Sequence, residues 1–206
     1  RNGVVLTHES HVLDLTNNYI FIKNMIEGGL PQLAVMGTMH EVGYWEGAIT
    51  EDTPTNPTSL YGIAKNALRQ MTFLLASEKN VKVDWLRAYY ILGDDKKSSS
   101  IFAKIVGWEE EGKETFPFNT GKNKYDFIDV DELSRQIAKA ATQDEIHGII
   151  NCCTGNPVSL ADKVEEFIRE HGFKIRPEYG AFPDRPYDSP AVWGDAEKIR
   201  KIMKVS

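Results

Sequence analysis

The chain has 206 residues, 41% hydrophobic and 26% charged, proportions ordinary for a globular protein of one domain or one domain with an appendage. Its 30 acidic and 24 basic side chains leave a net charge of -6 with no basic stripe, and no apolar run approaches the roughly 20 residues that span a bilayer, so neither a nucleic-acid surface nor a membrane protein is indicated. Cys152 and Cys153 are adjacent, which disfavours a disulfide-stapled secreted fold and suits a reducing compartment, and no Cys/His spacing reads as a metal site.

The chain opens at Arg1-Asn2-Gly3 without a targeting segment and reads as the middle of a longer protein. Val12, Leu15, Tyr19, Ile22 and Ile26 recur at helical spacing, and Gly28-Gly29 ends that helix near residue 27. Leu33-Ala34-Val35-Met36 suits a buried parallel strand. Residues 38–57, with Gly43, Gly47, Pro54 and Pro57, read as one long loop, which at that length is usually functional or disordered. A second helix covers 59–77, with Ala64, Leu68, Met71 and Leu75 on one face, and a strand follows at 81–87. Helix, strand, helix, strand predicts an α/β domain with a parallel sheet. Further on, helices are expected at 99–111, 130–142 and 159–171 and near 195–203, and strands at 125–128 and 148–152. Trp85, Trp108, Trp193 and the cysteine pair read as packing residues.

Tyr61-Gly62-Ile63-Ala64-Lys65 is the first candidate for chemistry. Tyr and Lys four apart share a helix face. A phenol of pKa about 10 is a poor base at neutral pH, and a nearby ammonium lowers that value. Such a pair can move a proton on and off a hydroxyl or carbonyl oxygen. The spacing alone is weak, because Tyr19-Ile20-Phe21-Ile22-Lys23 repeats it, and there a core tyrosine beside a solvated lysine is the simpler reading.

The surroundings of Tyr61 are more specific. Thr38 ends the apolar run, and Glu51-Asp52-Thr53-Pro54 leads to Asn56-Pro57-Thr58-Ser59-Leu60-Tyr61-Gly62 and on to Lys65. Then come Leu86-Arg87-Ala88-Tyr89-Tyr90-Ile91-Leu92-Gly93 and Tyr125-Asp126-Phe127-Ile128-Asp129-Val130-Asp131-Glu132-Leu133. In order and spacing these segments resemble, over nearly the whole chain, the extended short-chain dehydrogenase/reductases, the NAD-dependent epimerase/dehydratase family that acts on nucleotide sugars.

That resemblance implies a partial Rossmann-like, doubly wound parallel sheet with a small C-terminal α+β substrate cap. Residues 1–93 would carry the catalytic side of the cofactor domain, and 94–206 mostly the cap, with elements returning to the sheet. It implies Tyr61 as the acid/base, Lys65 as its partner on the nicotinamide ribose, and Thr38 as the hydroxyl donor, with Met39 there if the alignment slips by one. Tyr89 would touch cofactor, and His40, Glu41, Tyr90 and Arg185 would touch substrate, Arg185 at its phosphates. Asp14 falls near a family Asn. The implied cofactor is NAD or NADP, the partner a nucleotide sugar, the location cytoplasmic, and the assembly a homodimer through the helices at 11–27 and 59–77.

Two departures stand out. No two glycines are three apart, as the family's Gly-rich phosphate turn requires. Thr38 is followed by Met39-His40, where dehydratases of the family carry an acidic pair, so a 4-ketoreductase or 4-epimerase is the expected activity. The alternative is a binding or regulatory protein that keeps the fold without the cofactor turn.

Overall fold

The computed structural model describes residues 8–93, 100–185 and 188–204. Arg1-Asn2-Gly3, position 99 of the third expected helix, and Pro186 and Tyr187 lie outside the described residues. Three parallel strands form the first sheet: β1 (Gln32–Thr38), β3 (Lys82–Ala88) and β7 (Gly148–Cys152), in the order β1-β3-β7. Helices α1 (His8–Glu27) and α2 (Leu60–Lys79) pack on one face, and α4 (Val130–Thr142) contacts all three strands from the other. This is the α/β arrangement with a parallel sheet expected from the alternation of elements, in the doubly wound form that the resemblance implies.

Alternation along β3 explains the layering. Val83 and Trp85 are buried with Ile22, Ile26, Leu68 and Ala76 under α1 and α2. Leu86 and Ala88, on the opposite face, join the larger core with Leu133, Ala140 and Ile150. Side chains of this size each stabilise the fold by roughly 1.5–3 kcal/mol when fully buried. Helix α2 begins where Ser59 accepts from the Gly62 N–H at 3.1 Å. It ends at Asn80 in the left-handed region, φ 55.

Strand β1 is less buried than its apolar run suggests. Leu33 and Val35 pack toward α1 and α2, but Ala34 and Met36 are exposed. Among the described residues β1 is an edge strand whose one neighbour is β3. The expected loop at 38–57 is also more ordered. It holds a 3-10 turn (Met39–Glu41), strand β2 (Gly47–Ile49) and a bridge between Gly43 and Asn56.

A second sheet orders β2, β10 (Ala191–Gly194), β6 (Lys124–Asp129) and β4 (Tyr90–Leu92), with β8 (Pro157–Ser159) antiparallel on β6. It is built by strands from both sides of residue 93. Helices α3 (Ile101–Glu110), α5 (Leu160–Glu170) and α6 (Glu197–Ile202) and the pair β5 (Thr115–Pro117) and β9 (Arg176–Glu178) complete the described fold. Trp85, Cys152 and Cys153 are buried, the cysteines as free thiols, while Trp108 and Trp193 are half-buried.

Candidate active site

Thr38 is both the last residue of β1 and the cap of the 3-10 turn. Its hydroxyl accepts from the His40 N–H at 3.4 Å. Helix α2 begins beside this turn, and Gly62 is what lets it come so near. A Cβ on Gly62 would lie 2.4 Å from the His40 carbonyl oxygen. The close approach brings the Tyr61 phenol beside the buried Thr38 hydroxyl, near enough for the two to interact. Met39 is buried beside it in the larger core, so Thr38 and not Met39 presents a group to Tyr61.

Tyr61 is 38% exposed and lines the first of two neighbouring openings. One, of about 340 Å³, lies between α1 and α2 and is lined by His11, Asp14, Asn18, Tyr61 and Lys65. The other, of about 550 Å³, is lined by Met39, His40, Tyr44, Tyr90, Tyr125 and Asp188. The His40 ring joins the two, with its centre 6.1 Å from that of Tyr61 and 6.4 Å from that of Tyr90.

The electrostatics differ from the simple tyrosine–lysine picture. Burial raises the Tyr61 phenol above its ordinary value; the nearby Thr38 hydroxyl opposes this and the Glu41 charge adds to it. The Lys65 ammonium donates to the Met36 carbonyl at 2.9 Å. Burial pushes Lys65 down, against the pull of Glu41 and Asp14. The expected lowering of Tyr61 by Lys65 is therefore not the resting state: the ammonium is turned to the end of β1.

Other site residues divide sharply. Tyr90 and Tyr125 form an aromatic wall, ring centres 4.5 Å apart, with Phe127 behind them. Burial raises both phenols, and Asp188 adds to the effect on each. Arg185 is exposed, near enough for its charge to act on Tyr125. Two expectations are corrected. Tyr89 points into the core, where its hydroxyl donates to Asn151 Oδ1 at 3.2 Å, so its side chain faces no opening. Glu41 is fully buried and accepts from the Thr38 N–H and the Trp85 indole, so it does not reach the cleft. A three-residue turn points its side chains in different directions, which a linear alignment does not register.

Sequence reasoning missed Tyr44, Tyr125, Asp188 and Ser189 as lining residues. Alternation of Tyr125 and Phe127 around Asp126 was a usable signal for one face of β6. Asp126 points the other way and accepts from the Thr154 and Gly155 N–H groups at 2.9 Å each.

Lys65, Asp14 and Tyr61 together fit the hydroxyl-rich ribose end of a nicotinamide cofactor: an ammonium, a carboxylate and a phenol share one opening. Among the described residues no glycine-rich turn is placed to cradle a diphosphate.

Comparison with known proteins agrees with this geometry. Residues 11–153 match the family model described as the NAD dependent epimerase/dehydratase family. The chain is 50% identical over 186 residues to a dTDP-6-deoxy-L-talose 4-dehydrogenase (NAD(+)) of Aggregatibacter actinomycetemcomitans, covering 90% of this chain and 68% of that protein. It is 25% identical to UDP-arabinose 4-epimerase 1 of Arabidopsis thaliana, of which it covers 50%. A solved UDP-glucuronic acid 4-epimerase from Bacillus cereus, in complex with UDP-glucuronic acid and NAD, superposes with a TM-score of 0.77 at 21% identity, over 93% of this chain and 62% of that one. A UDP-N-acetylglucosamine 4-epimerase from Methanobrevibacter ruminantium M1 superposes with a TM-score of 0.79 at 18% identity, over 96% of this chain and 63% of that one. The chain thus spans about two thirds or less of the length of each of these proteins. The family match over residues 11–153 and the 50% identity over 186 residues decide the lineage: the chain belongs to the NAD dependent epimerase/dehydratase family.

Proposed function

We propose that this chain carries the catalytic side of an NAD-dependent 4-dehydrogenase, or in reverse a 4-ketoreductase, acting on a dTDP-activated 6-deoxyhexose. The observation that carries the reading is the Tyr61 phenol set beside the buried Thr38 hydroxyl, with Lys65 and Asp14 lining the same opening as Tyr61. The 50%-identical relative supplies the substrate class.

Tyr61 takes the proton of the sugar's C4 hydroxyl, and Thr38 hydrogen-bonds the same oxygen. A bound nicotinamide would supply the hydride acceptor, so that the alcohol would become a ketone by loss of one proton to Tyr61 and one hydride from C4. Lys65 and Asp14 hold the ribose, and Lys65 stabilises the phenolate as it forms. The wall of Tyr90 and Tyr125 packs on the apolar face of the sugar, and Arg185 meets its diphosphate at the rim.

The test is NADH formation by the full-length protein from dTDP-6-deoxy-L-talose and NAD. A 4-epimerase is the second reading, favoured by the UDP-arabinose 4-epimerase relatives. It would interconvert the 4-hydroxy sugars without net NADH. We do not propose a dehydratase: that chemistry needs an acid and a base beyond Tyr61, and Glu41 faces away from the cleft. Loss of water from dTDP-glucose, read by mass spectrometry, would reject this. The family match and the 50% identity to an NAD(+)-dependent 4-dehydrogenase weigh against the binding-only alternative. The free, buried cysteines favour a reducing compartment, in keeping with a cytoplasmic location. Exposed Val12, Leu13 and Phe21 on α1 and Leu74 on α2 favour a homodimer through those helices.

A further inference from the structure

Glu41 raises a question that its burial sharpens. A carboxylate with no solvent contact is costly unless every oxygen is satisfied. Here Oε1 accepts from the Thr38 N–H at 2.7 Å and from Trp85 Nε1 at 2.9 Å. Oε2 accepts from the same indole at 3.0 Å and lies 3.6 Å from both Arg69 Nε and Arg87. These partners come from three pieces of the fold. Thr38 is the end of β1, Trp85 and Arg87 share one face of β3, and Arg69 is one turn beyond Lys65 on α2. The backbone is shaped to allow it. A Cβ on Gly37 would fall 2.2 Å from Trp85 Nε1 and 2.8 Å from Glu41 Oε1.

We infer that Glu41 is a positioning residue: its carboxylate clamps the Thr38 N–H where β1 turns, and so holds the Thr38 hydroxyl against Tyr61. The clamp closes a reciprocal cap, with the Thr38 hydroxyl accepting from the turn and Glu41 accepting from the Thr38 backbone. The carboxylate acts through Thr38 and not on the substrate, because it is sealed beneath the turn. This inference rests on the dehydrogenase reading for its kinetic arm alone.

Two variants separate the clamp from the charge. Glu41→Ala and Glu41→Gln both remove the charge facing Arg69 and Arg87, and both should lower Tm. Only Ala removes the acceptor for the Thr38 N–H. In full-length protein with NAD and dTDP-6-deoxy-L-talose, Glu41→Ala should lower kcat by about 10²-fold, the usual scale for a misplaced reacting group, with KM little changed. Glu41→Gln should keep most of kcat. In a Thr38→Ala background, Glu41→Ala should add almost nothing. Equal loss of kcat in the Gln and Ala variants, a loss carried by KM, or multiplication of the two single effects would overturn the inference.

Should Glu41→Ala not fold, Trp85→Phe replaces it: an aromatic ring stays but the indole donor goes, and kcat should fall several-fold at constant KM. Unchanged kcat counts against the clamp. If the unaltered protein does not oxidise the sugar, the dehydrogenase reading fails, and amide exchange at Thr38 still decides. Its N–H should be protected in the unaltered protein and in Glu41→Gln. Fast exchange in both would sink the clamp.

Discussion

Two Tyr-x-x-x-Lys pairs sit on neighbouring helices, and they have nothing in common but spacing. Tyr19 is half-buried against the core under α1 and α2, and Lys23 binds Glu27 one turn on, at 2.8 Å. That bond raises the Lys23 ammonium and leaves it in solvent. Tyr61 instead meets a buried hydroxyl, and Lys65 is desolvated on a strand carbonyl. Spacing puts two groups on one face of a helix. What lies opposite that face decides whether they do chemistry.

Substitution is the sharpest way to break the comparison. Tyr61→Phe should lower turnover by about 10²–10⁴-fold, the usual scale for a lost acid/base, while NAD affinity measured by titration stays close to the original. Normal turnover would put Tyr61 on the same footing as Tyr19. Lys65→Ala should lower kcat and weaken NAD binding together, since one ammonium serves both phenolate and ribose. Lys23→Ala should do neither, and a kinetic defect there would end the distinction.

The pH dependence follows from burial. The Tyr61 phenol is raised above about 10, so below that value it is protonated and poised to donate. Ketone reduction should therefore hold across neutral pH and fall in alkali, whereas oxidation should climb as pH rises toward the raised value. Initial rates in both directions would show it; a flat oxidation profile would mean that another group takes the proton.

A milder effect is expected on α1. Phe21→Glu and Leu74→Glu place charges on its exposed apolar face and on that of α2, and light scattering should show a dimer becoming a monomer. A monomer before substitution refutes the pairing. Tyr19→Phe should do least, changing stability by about 0.5 kcal/mol or less in thermal unfolding, because the ring remains packed.

Much of the frame was legible along the chain. The helix at 130–142 and the strand at 148–152 came from periodicity and flanking residues, and Ser59 announced the start of α2. Strands β2, β4, β5, β8 and β9 were not legible, because three residues carry no period. Each is defined by its partner: β2 pairs with β10, far along the chain, Gly47 opposite Val192.

The same division holds for the site. Local order alone determined that Tyr61 and Lys65 share a face, and that Thr38 ends a strand just before a turn. Only the tertiary structure decided that Thr38 rather than Met39 meets Tyr61. It also sent Tyr90 to the cleft and Tyr89 to the core, and closed Glu41 in beneath the turn. The physical reason is that a side chain's direction at a strand end depends on the elements packed around it. Here those are the indole of Trp85, two arginines, and a helix that only Gly62 allows so close.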